Sequence, residues 1–151
     1  MTYDKIFSRF YNLMNDPSFF KLPQDFAYDR MRSWLHDAAA TPYIRKKFSS
    51  LDLNDQVLEL TYSLTDSIDL KSDDDFVISI FAQYMVIAWM KPQVENTINL
   101  ARIIGGKEEK NIQANYKSNI ERVDSLERKL RKFIRDYGYE NNSYISGGET
   151  S

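Results

Sequence analysis

The feature that most constrains this chain is a nearly uninterrupted apolar segment, FVISIFAQYMVIAW, at residues 76–89. Its apolar side chains fall on all sides of a helix, which is typical of a helix that other elements cover on several sides. Ser79 and Gln83 interrupt the segment, and it is shorter than the roughly 20 residues that cross a bilayer. We therefore predict a central buried helix in a globular fold, with no membrane span.

Two helices are expected before this segment, because apolar residues recur there at three- and four-residue spacing. The first runs from Thr2, as its N-cap, to about Met14. The second covers residues 24–40, and Pro42 then opens a short turn. The side chains expected to be buried in the second helix are Phe26, Met31, Trp34, Leu35 and Ala38.

The central helix and a long charged helix make up most of the second half of the chain. Ser72 is predicted to cap the central helix, with the three acids of residues 73–75 in its first turn. Pro92 is expected to kink or end it, with helix resuming up to Gly105. The charged helix then runs from about residue 108 or 113 to 137. Its narrow apolar stripe consists of Val123, Leu126, Leu130, Phe133, Ile134 and Tyr137.

Residues 48–70 follow a different period. Leucines at 51 and 53, and apolar residues at 58, 60, 62 and 64, alternate with polar ones, which indicates extended strands. Asn54 and Asp55 between the two runs indicate a turn. The predicted fold is therefore mainly α, a helical bundle with a central buried helix, a long charged C-terminal helix and a small β-hairpin insertion.

Composition narrows the classes of function. The 151 residues contain no cysteine, which excludes disulfides, thiolate metal sites and thiol nucleophiles. The net charge of −2 argues against nucleic acid as a main partner, since duplex binding needs an excess of Lys and Arg. No signal peptide is recognisable, so we expect a soluble, intracellular protein. Aromatic residues reach 14%, enough to serve a core and a protein interface together.

No residue pattern indicates an active site, so we predict no enzyme, no cofactor and no metal. His36 and Asp37 are sequence neighbours and do not share a helix face. The acids of residues 73–75 lack the spacing of an EF-hand loop, and helix capping explains them better. GGK at residues 105–107 lacks the other positions of a phosphate loop. The basic clusters, residues 45–47 and 128–135, are best explained as a solvated surface.

The chain resembles the head–tail connector (adaptor) proteins of tailed bacteriophages. The resemblance rests on helical segments in order along most of the chain rather than on chemical signatures. At residues 48–70 the chain is more strand-like than the short polar connection of that family. The matching segments are TYDKIF at 2–7, YMVIAWMKPQ at 84–93, NT at 96–97, NL at 99–100, QAN at 113–115 and RDY at 135–137.

This resemblance implies a helical subunit of a dodecameric ring that lies below the portal and joins the packaged head to the tail. The implied partners are the portal protein and the tail or head-closure proteins, with packaged DNA passing through the ring lumen. The implied location is the virion neck, and the host cytoplasm during assembly. It implies no catalysis.

We divide the chain into a helical connector domain, residues 1–137, and a flexible C-terminal tail, residues 138–151. The tail has the composition of a loop, with isolated aromatic and apolar side chains able to add a strand to a neighbour's sheet edge. The predicted interface residues are Tyr137, Tyr139, Tyr144 and Ile145. Two other classes stay open at this point, a small cytoplasmic interaction or inhibitor protein and a weak nucleic-acid-binding regulator.

Overall fold

The computed structural model describes residues 1–104 and 106–139. The described part of the protein is mostly helical, with six helices and one antiparallel hairpin, which confirms the predicted mainly α fold with a β-hairpin insertion. The elements are α1 (Tyr3–Leu13), α2 (Pro17–Phe20), α3 (Gln24–Ala40), α4 (Pro42–Arg45), β1 (Phe48–Asn54), β2 (Glu59–Leu64), α5 (Leu70–Ile104) and α6 (Gly106–Asp136).

Helix α5 is the centre of the fold, as its apolar sequence predicts. Helices α1, α3 and α6 all pack on it. Burying large apolar side chains on several sides of one helix is the main stabilising contribution here, about 1.5–3 kcal/mol for each. No helix of the described residues is long and apolar enough to cross a membrane. The buried apolar side chains of α5 between residues 76 and 87 are Phe76, Val77, Ile80, Phe81, Ala82, Met85 and Ile87.

Helices α5 and α6 form an antiparallel pair. Phe76, early in α5, contacts Tyr137 just after α6, and Lys91 forms an ion pair with Glu127 in the middle of α6. Helix α5 does not end at Pro92 but continues through it to Ile104. Proline removes one main-chain hydrogen bond. Val94, two residues after the proline, is still buried. Helix α6 begins before its predicted start, at Gly106, and Gly105 lies outside the described residues.

Of the two predicted N-caps, Ser72 is wrong, and Thr2 is right in position but caps without its side chain. Helix α5 begins at Leu70, and the carboxylate of Asp69 accepts the N–H of Ser72 at 2.7 Å, so Asp69 is the cap. Aspartate and serine are about equally good N-cap residues, so the sequence alone does not separate Asp69 from Ser72. Thr2 precedes α1, but its side chain makes no capping bond. Its main chain pairs instead with Glu59 in β2.

The prediction that Phe26 is buried is also wrong. Phe26 is 50% exposed, and the guanidinium of Arg30 lies 5.7 Å from the centre of its ring. The buried face of α3 begins one residue later at Ala27, because residues four and three apart share a helix face and Ala27 is in line with Met31. The other predicted core residues of α3, Trp34, Leu35 and Ala38, are buried.

The hairpin of β1 and β2 confirms the period-two pattern of residues 48–64. Leu53 lies opposite Leu60, and an irregularity in β1 separates the pairs of Phe48 and Ser50. Leu58, which we predicted in the second strand, lies in the turn with φ of +56°. The carbonyl of Leu58 accepts the N–H of Tyr3 at 2.9 Å. The turn therefore joins the hairpin to the start of α1.

Candidate partner interface

Tyr137, the first of the predicted interface residues, is built into the body of the protein. Its ring stacks on Phe76, and its hydroxyl donates a hydrogen bond to Asp73 Oδ1 at 2.6 Å. Tyr139, two residues later, is 62% exposed and so is available to a partner. Tyr144 and Ile145 lie outside the described residues. The structure therefore gives Tyr137 an anchoring position and Tyr139 a surface position.

Gly138, between these two tyrosines, is buried against the loop that precedes α5. Its φ is +74°, and a Cβ at this position would lie 2.3 Å from the carbonyl oxygen of Asp66. Only a glycine fits such close backbone contact at a left-handed φ without strain. Lys47 also fixes this end of the chain, because its ammonium donates to the carbonyls of Arg135 and Tyr137 at 3.3 and 3.2 Å. The chain is thus fixed up to Gly138.

Asp73 is the centre of this anchor. Its carboxylate accepts hydrogen bonds from the hydroxyls of Tyr137 and Ser67 and from the N–H of Ile68. Burial raises the pKa of Asp73, but these three donors outweigh burial and hold the pKa below its usual value. Burial and the hydrogen bond to Asp73 raise the pKa of the Tyr137 hydroxyl. Asp73 is therefore an ionised acceptor that ties α6 to α5.

The other two acids of the run bind different elements. Asp74 accepts a hydrogen bond from the hydroxyl of Tyr62 in β2. Asp75 pairs with Arg9 of α1 at 2.8 Å, and Arg9 also donates to Ser79 at 2.7 Å. Among the described residues, no group of three or more His, Asp or Glu side chains could hold a metal ion. The acid run joins α6, β2 and α1 to one end of α5.

A groove lies beside this end of α5, between the free edge of β2 and the first turns of the helix. Its cavity measures about 500 Å³. Leu70 at its border is 80% exposed, the most exposed of the large apolar side chains in the described residues. We call this feature the β2 groove, and its lining consists of Met1, residues 60–64, Ser67, Leu70, Asp73 and Asp74.

A second apolar surface lies at the end of α1 and on α2. The rings of Tyr11 and Phe20 are stacked, with centroids 6.0 Å apart, and the two side chains are 39% and 53% exposed. The buried ring of Phe19 supports them from below and contacts Trp89 at 5.3 Å. We call Tyr11 and Phe20 the aromatic patch.

A cavity of about 330 Å³ lies on the other side of Phe19, and Trp89, which contacts Phe19, lines it. In its wall, the indole N–H of Trp89 donates to Asp16 at 3.0 Å, and Asp16 also caps α2 through Ser18. The hydrogen bond from the Ser18 hydroxyl is the main cause that lowers the pKa of Asp16. Asn119 and Arg122 of α6 complete the polar side of the wall. An apolar surface beside a mixed cavity suits a protein partner better than a small polar substrate.

His36 has a partner that its sequence neighbours do not reveal. Its Nε2 lies 2.9 and 3.0 Å from the two carboxylate oxygens of Asp55, in the hairpin turn. The hydroxyl of Tyr3 donates to the same carboxylate at 2.7 Å. The hydrogen bond from Tyr3 is the largest cause that lowers the pKa of Asp55, and the hydrogen bond from His36 is the second. The arrangement holds the turn against α1 and α3, and Asp37 takes no part in it.

Several side chains of the two basic clusters make contacts within the protein. The guanidinium of Arg131 lies over the ring of Tyr43, 4.4 Å from its centre. Arg45 donates to the carbonyl of Phe48 at 2.8 Å. Lys47, besides binding two carbonyls, lies 3.7 Å from the carboxylate of Asp66. These intramolecular contacts reduce the positive surface that could face a phosphate backbone.

Comparison of the chain with protein-family models, with curated proteins and with solved structures gives no match.

Proposed function

We propose that this chain is a structural subunit of the head–tail connector of a tailed bacteriophage. In this role it forms a ring, a dodecamer, between the portal protein and the tail or head-closure proteins. It lies in the virion neck, and in the host cytoplasm before assembly. The proposal starts from the ordered resemblance of segments from TYDKIF at residues 2–7 to RDY at residues 135–137.

The observation that carries the proposal is the pair of separate apolar surfaces. The β2 groove lies at the first turns of α5, where Asp74 lines it, and the aromatic patch rests on Phe19 beside Trp89. At 1.5 Å per helical residue, Asp74 and Trp89 are about 22 Å apart along α5. A ring of identical subunits joined head to tail needs two different surfaces on each subunit. The two surfaces meet that requirement.

The charge of the chain supports a ring through which DNA passes. A protein that binds duplex DNA tightly carries a clear excess of Lys and Arg, whereas this chain has 20 basic and 22 acidic side chains. Several of its basic side chains, Lys47 and Arg131 among them, are engaged within the fold. The subunit is therefore suited to contact other proteins rather than to hold the nucleic acid.

Deletion of the gene from the phage that encodes the chain tests the proposal. We expect DNA-filled heads and free tails in the lysate, seen by electron microscopy, and the chain itself in wild-type particles by mass spectrometry. The Phe20→Asp variant should fold but fail to join heads to tails, because it places a charge in the aromatic patch. Val57→Asp is the matched control, since Val57 is 59% exposed in the hairpin turn, outside both surfaces.

Two results would overturn the proposal. A chain absent from purified particles and monomeric in solution would instead be a small interaction or inhibitor protein. Affinity for duplex DNA that falls steeply with salt would instead indicate a nucleic-acid-binding regulator, because release of counterions makes such binding salt-dependent.

A further inference from the structure

The outer edge of β2 already accepts a strand along half of its length. The main chain of Met1 exchanges hydrogen bonds with Leu60, at 2.7 and 3.0 Å, and Tyr3 donates to Leu58 at 2.9 Å. Since N–H and C=O groups alternate in direction along a strand, those of Tyr62 and Leu64 point to the same side as those of Leu60. In residues 1–104 and 106–139, no hydrogen bond from outside the hairpin reaches these two main-chain positions.

The β2 groove lies directly beside this open stretch of edge. An added strand there would find main-chain partners at Tyr62 and Leu64 and an apolar contact at Leu70, which is 80% exposed. The Tyr62 hydroxyl is held by Asp74, so this side chain forms a fixed wall of the groove. Strand addition takes its affinity from main-chain hydrogen bonds and its specificity from side-chain pockets. The β2 groove has both elements.

We propose that the β2 groove binds the C-terminal segment, residues 140–151, of an adjacent copy of this chain. The segment contains the run NSYIS at residues 142–146, with no proline, and Tyr144 and Ile145 supply one large side chain to each face of a strand. Twelve residues span at most about 40 Å, enough to reach a subunit in direct contact. The choice of a second copy as the donor rests on the proposed ring.

The C-terminal segment leaves the body close to its own β2 groove. Tyr137 and Gly138 are fixed against Phe76, Asp73 and Asp66, and none of residues 137–139 lines the β2 groove. Tyr139, the last described residue, is 62% exposed. Asp73, which binds the Tyr137 hydroxyl, itself lines the groove. A ring in which each subunit passes its segment to the next uses every groove once, whereas a chain that fills its own groove would stay monomeric at all concentrations.

Self-association of the full chain tests this inference without any virion. We expect the mass in solution, measured by light scattering after gel filtration, to rise with protein concentration. Leu70→Glu should shift this association to at least tenfold higher concentration, because it places a charge at the groove. Val57→Glu, which adds the same charge at an exposed position in the turn, should leave the association unchanged. An excess of a synthetic peptide of residues 138–151 should dissociate the wild-type assembly.

A peptide with N-methyl groups at Tyr144 and Ile145 tests the main-chain hydrogen bonds, and it should fail to compete. The amides of Tyr62 and Leu64 should exchange more slowly with deuterium in the assembly than in the monomeric Leu70→Glu variant. Equal association of Leu70→Glu and wild type would overturn the inference, as would competition by the methylated peptide. A monomeric wild-type chain at all concentrations would overturn it too, by showing no adjacent copy. If the assembly forms as expected but is absent from phage particles, the proposed function alone fails.

Discussion

The ring of Tyr137 lies flat on the ring of Phe76, with the two centroids 3.8 Å apart and the two planes 10° apart. The two residues are 61 positions apart in the sequence, and the contact joins the chain after α6 to the second turn of α5. The Tyr137 hydroxyl adds a hydrogen bond to Asp73 one turn earlier on the same helix. One side chain thereby fixes the relative position of the two longest helices at this end of the molecule.

Tyr137→Phe should destabilise the protein by about 1.5–3 kcal/mol, the usual contribution of a hydrogen bond to a charged acceptor. Tyr137→Ala should cost about 3–5 kcal/mol, because the stacked ring is lost as well. Tyr139→Phe is the control, and since Tyr139 is 62% exposed its effect should stay within about 0.5 kcal/mol. Unfolding in urea measures all three. Equal stability of Tyr137→Phe and wild type would show that the hydroxyl contributes nothing.

Stability should fall at acid pH in a way that depends on Asp73. The pKa of Asp73 is held lower in the folded protein than the value of about 3.9 in an unfolded chain. Its contribution to stability is therefore fully present above the unfolded value and is lost as the pH falls through the folded value. Asp73→Asn removes this contribution, so its free energy of unfolding should decline less than that of wild type between about pH 5 and pH 2. Parallel pH profiles would contradict the assignment.

Gly138 and Gly106 form a matched pair for substitution by alanine. Both have a left-handed φ, +74° and +70°, so both variants carry a conformational cost of about 1–2 kcal/mol. At Gly106 an added Cβ meets no atom of the described residues within 4 Å, whereas at Gly138 it lies 2.3 Å from the carbonyl oxygen of Asp66. Gly138→Ala should therefore lower the melting temperature clearly more than Gly106→Ala. Equal losses would mean that the contact with Asp66 relaxes without cost.

Ile80→Ala should destabilise the protein by about 2–5 kcal/mol, as expected for removal of a large side chain from a core. Ile80 is fully buried in the middle of α5. Leu70→Ala, on the same helix, should change the free energy of unfolding by about 0.5 kcal/mol or less, because Leu70 is 80% exposed. Chemical denaturation of the two variants checks the contrast. Similar values for both would place the core elsewhere.

Periodicity in the sequence was enough to find the main elements. The all-apolar run at residues 76–89 predicted the central helix, and alternation after residue 48 predicted the hairpin, because the spacing of apolar residues reflects which face is buried. The exact starts of the helices and of their buried faces were harder to predict. Ser72 and Asp69 are both good capping residues, and the structure uses Asp69. Phe26 and Ala27 are neighbours on α3, and the helix phase, not the larger side chain, decides which one is buried.

Contacts between distant residues could not be predicted from the sequence. Asp73 and Tyr137 are 64 residues apart, and His36 and Asp55 are 19 apart, yet both pairs are in direct contact. A local pattern fixes the face on which a side chain lies but not the element that packs against that face. For the same reason the sequence indicated interface use of the aromatic residues without indicating the aromatic patch or the β2 groove.

The role of the C-terminal segment can be separated from that of the anchor by two shortened chains. A chain that ends after Tyr139 keeps Tyr137 on Phe76 and Asp73 and keeps Gly138 against Asp66. Its free energy of unfolding should therefore stay within about 0.5 kcal/mol of that of the monomeric Leu70→Glu variant. A chain that ends after Asp136 loses the stacked ring and the hydrogen bond to Asp73, and should be destabilised by about 3–5 kcal/mol.

Function should respond differently from stability in these two chains. Because the chain that ends after Tyr139 lacks residues 140–151 but keeps the body, it should be folded and yet fail to join heads to tails in the infected cell. Electron microscopy of the lysate, with the full chain supplied from a plasmid as the rescue control, measures this outcome. Normal tailed particles from the chain that ends after Tyr139 would show that connector assembly does not use the segment, since every contact of the body is still present.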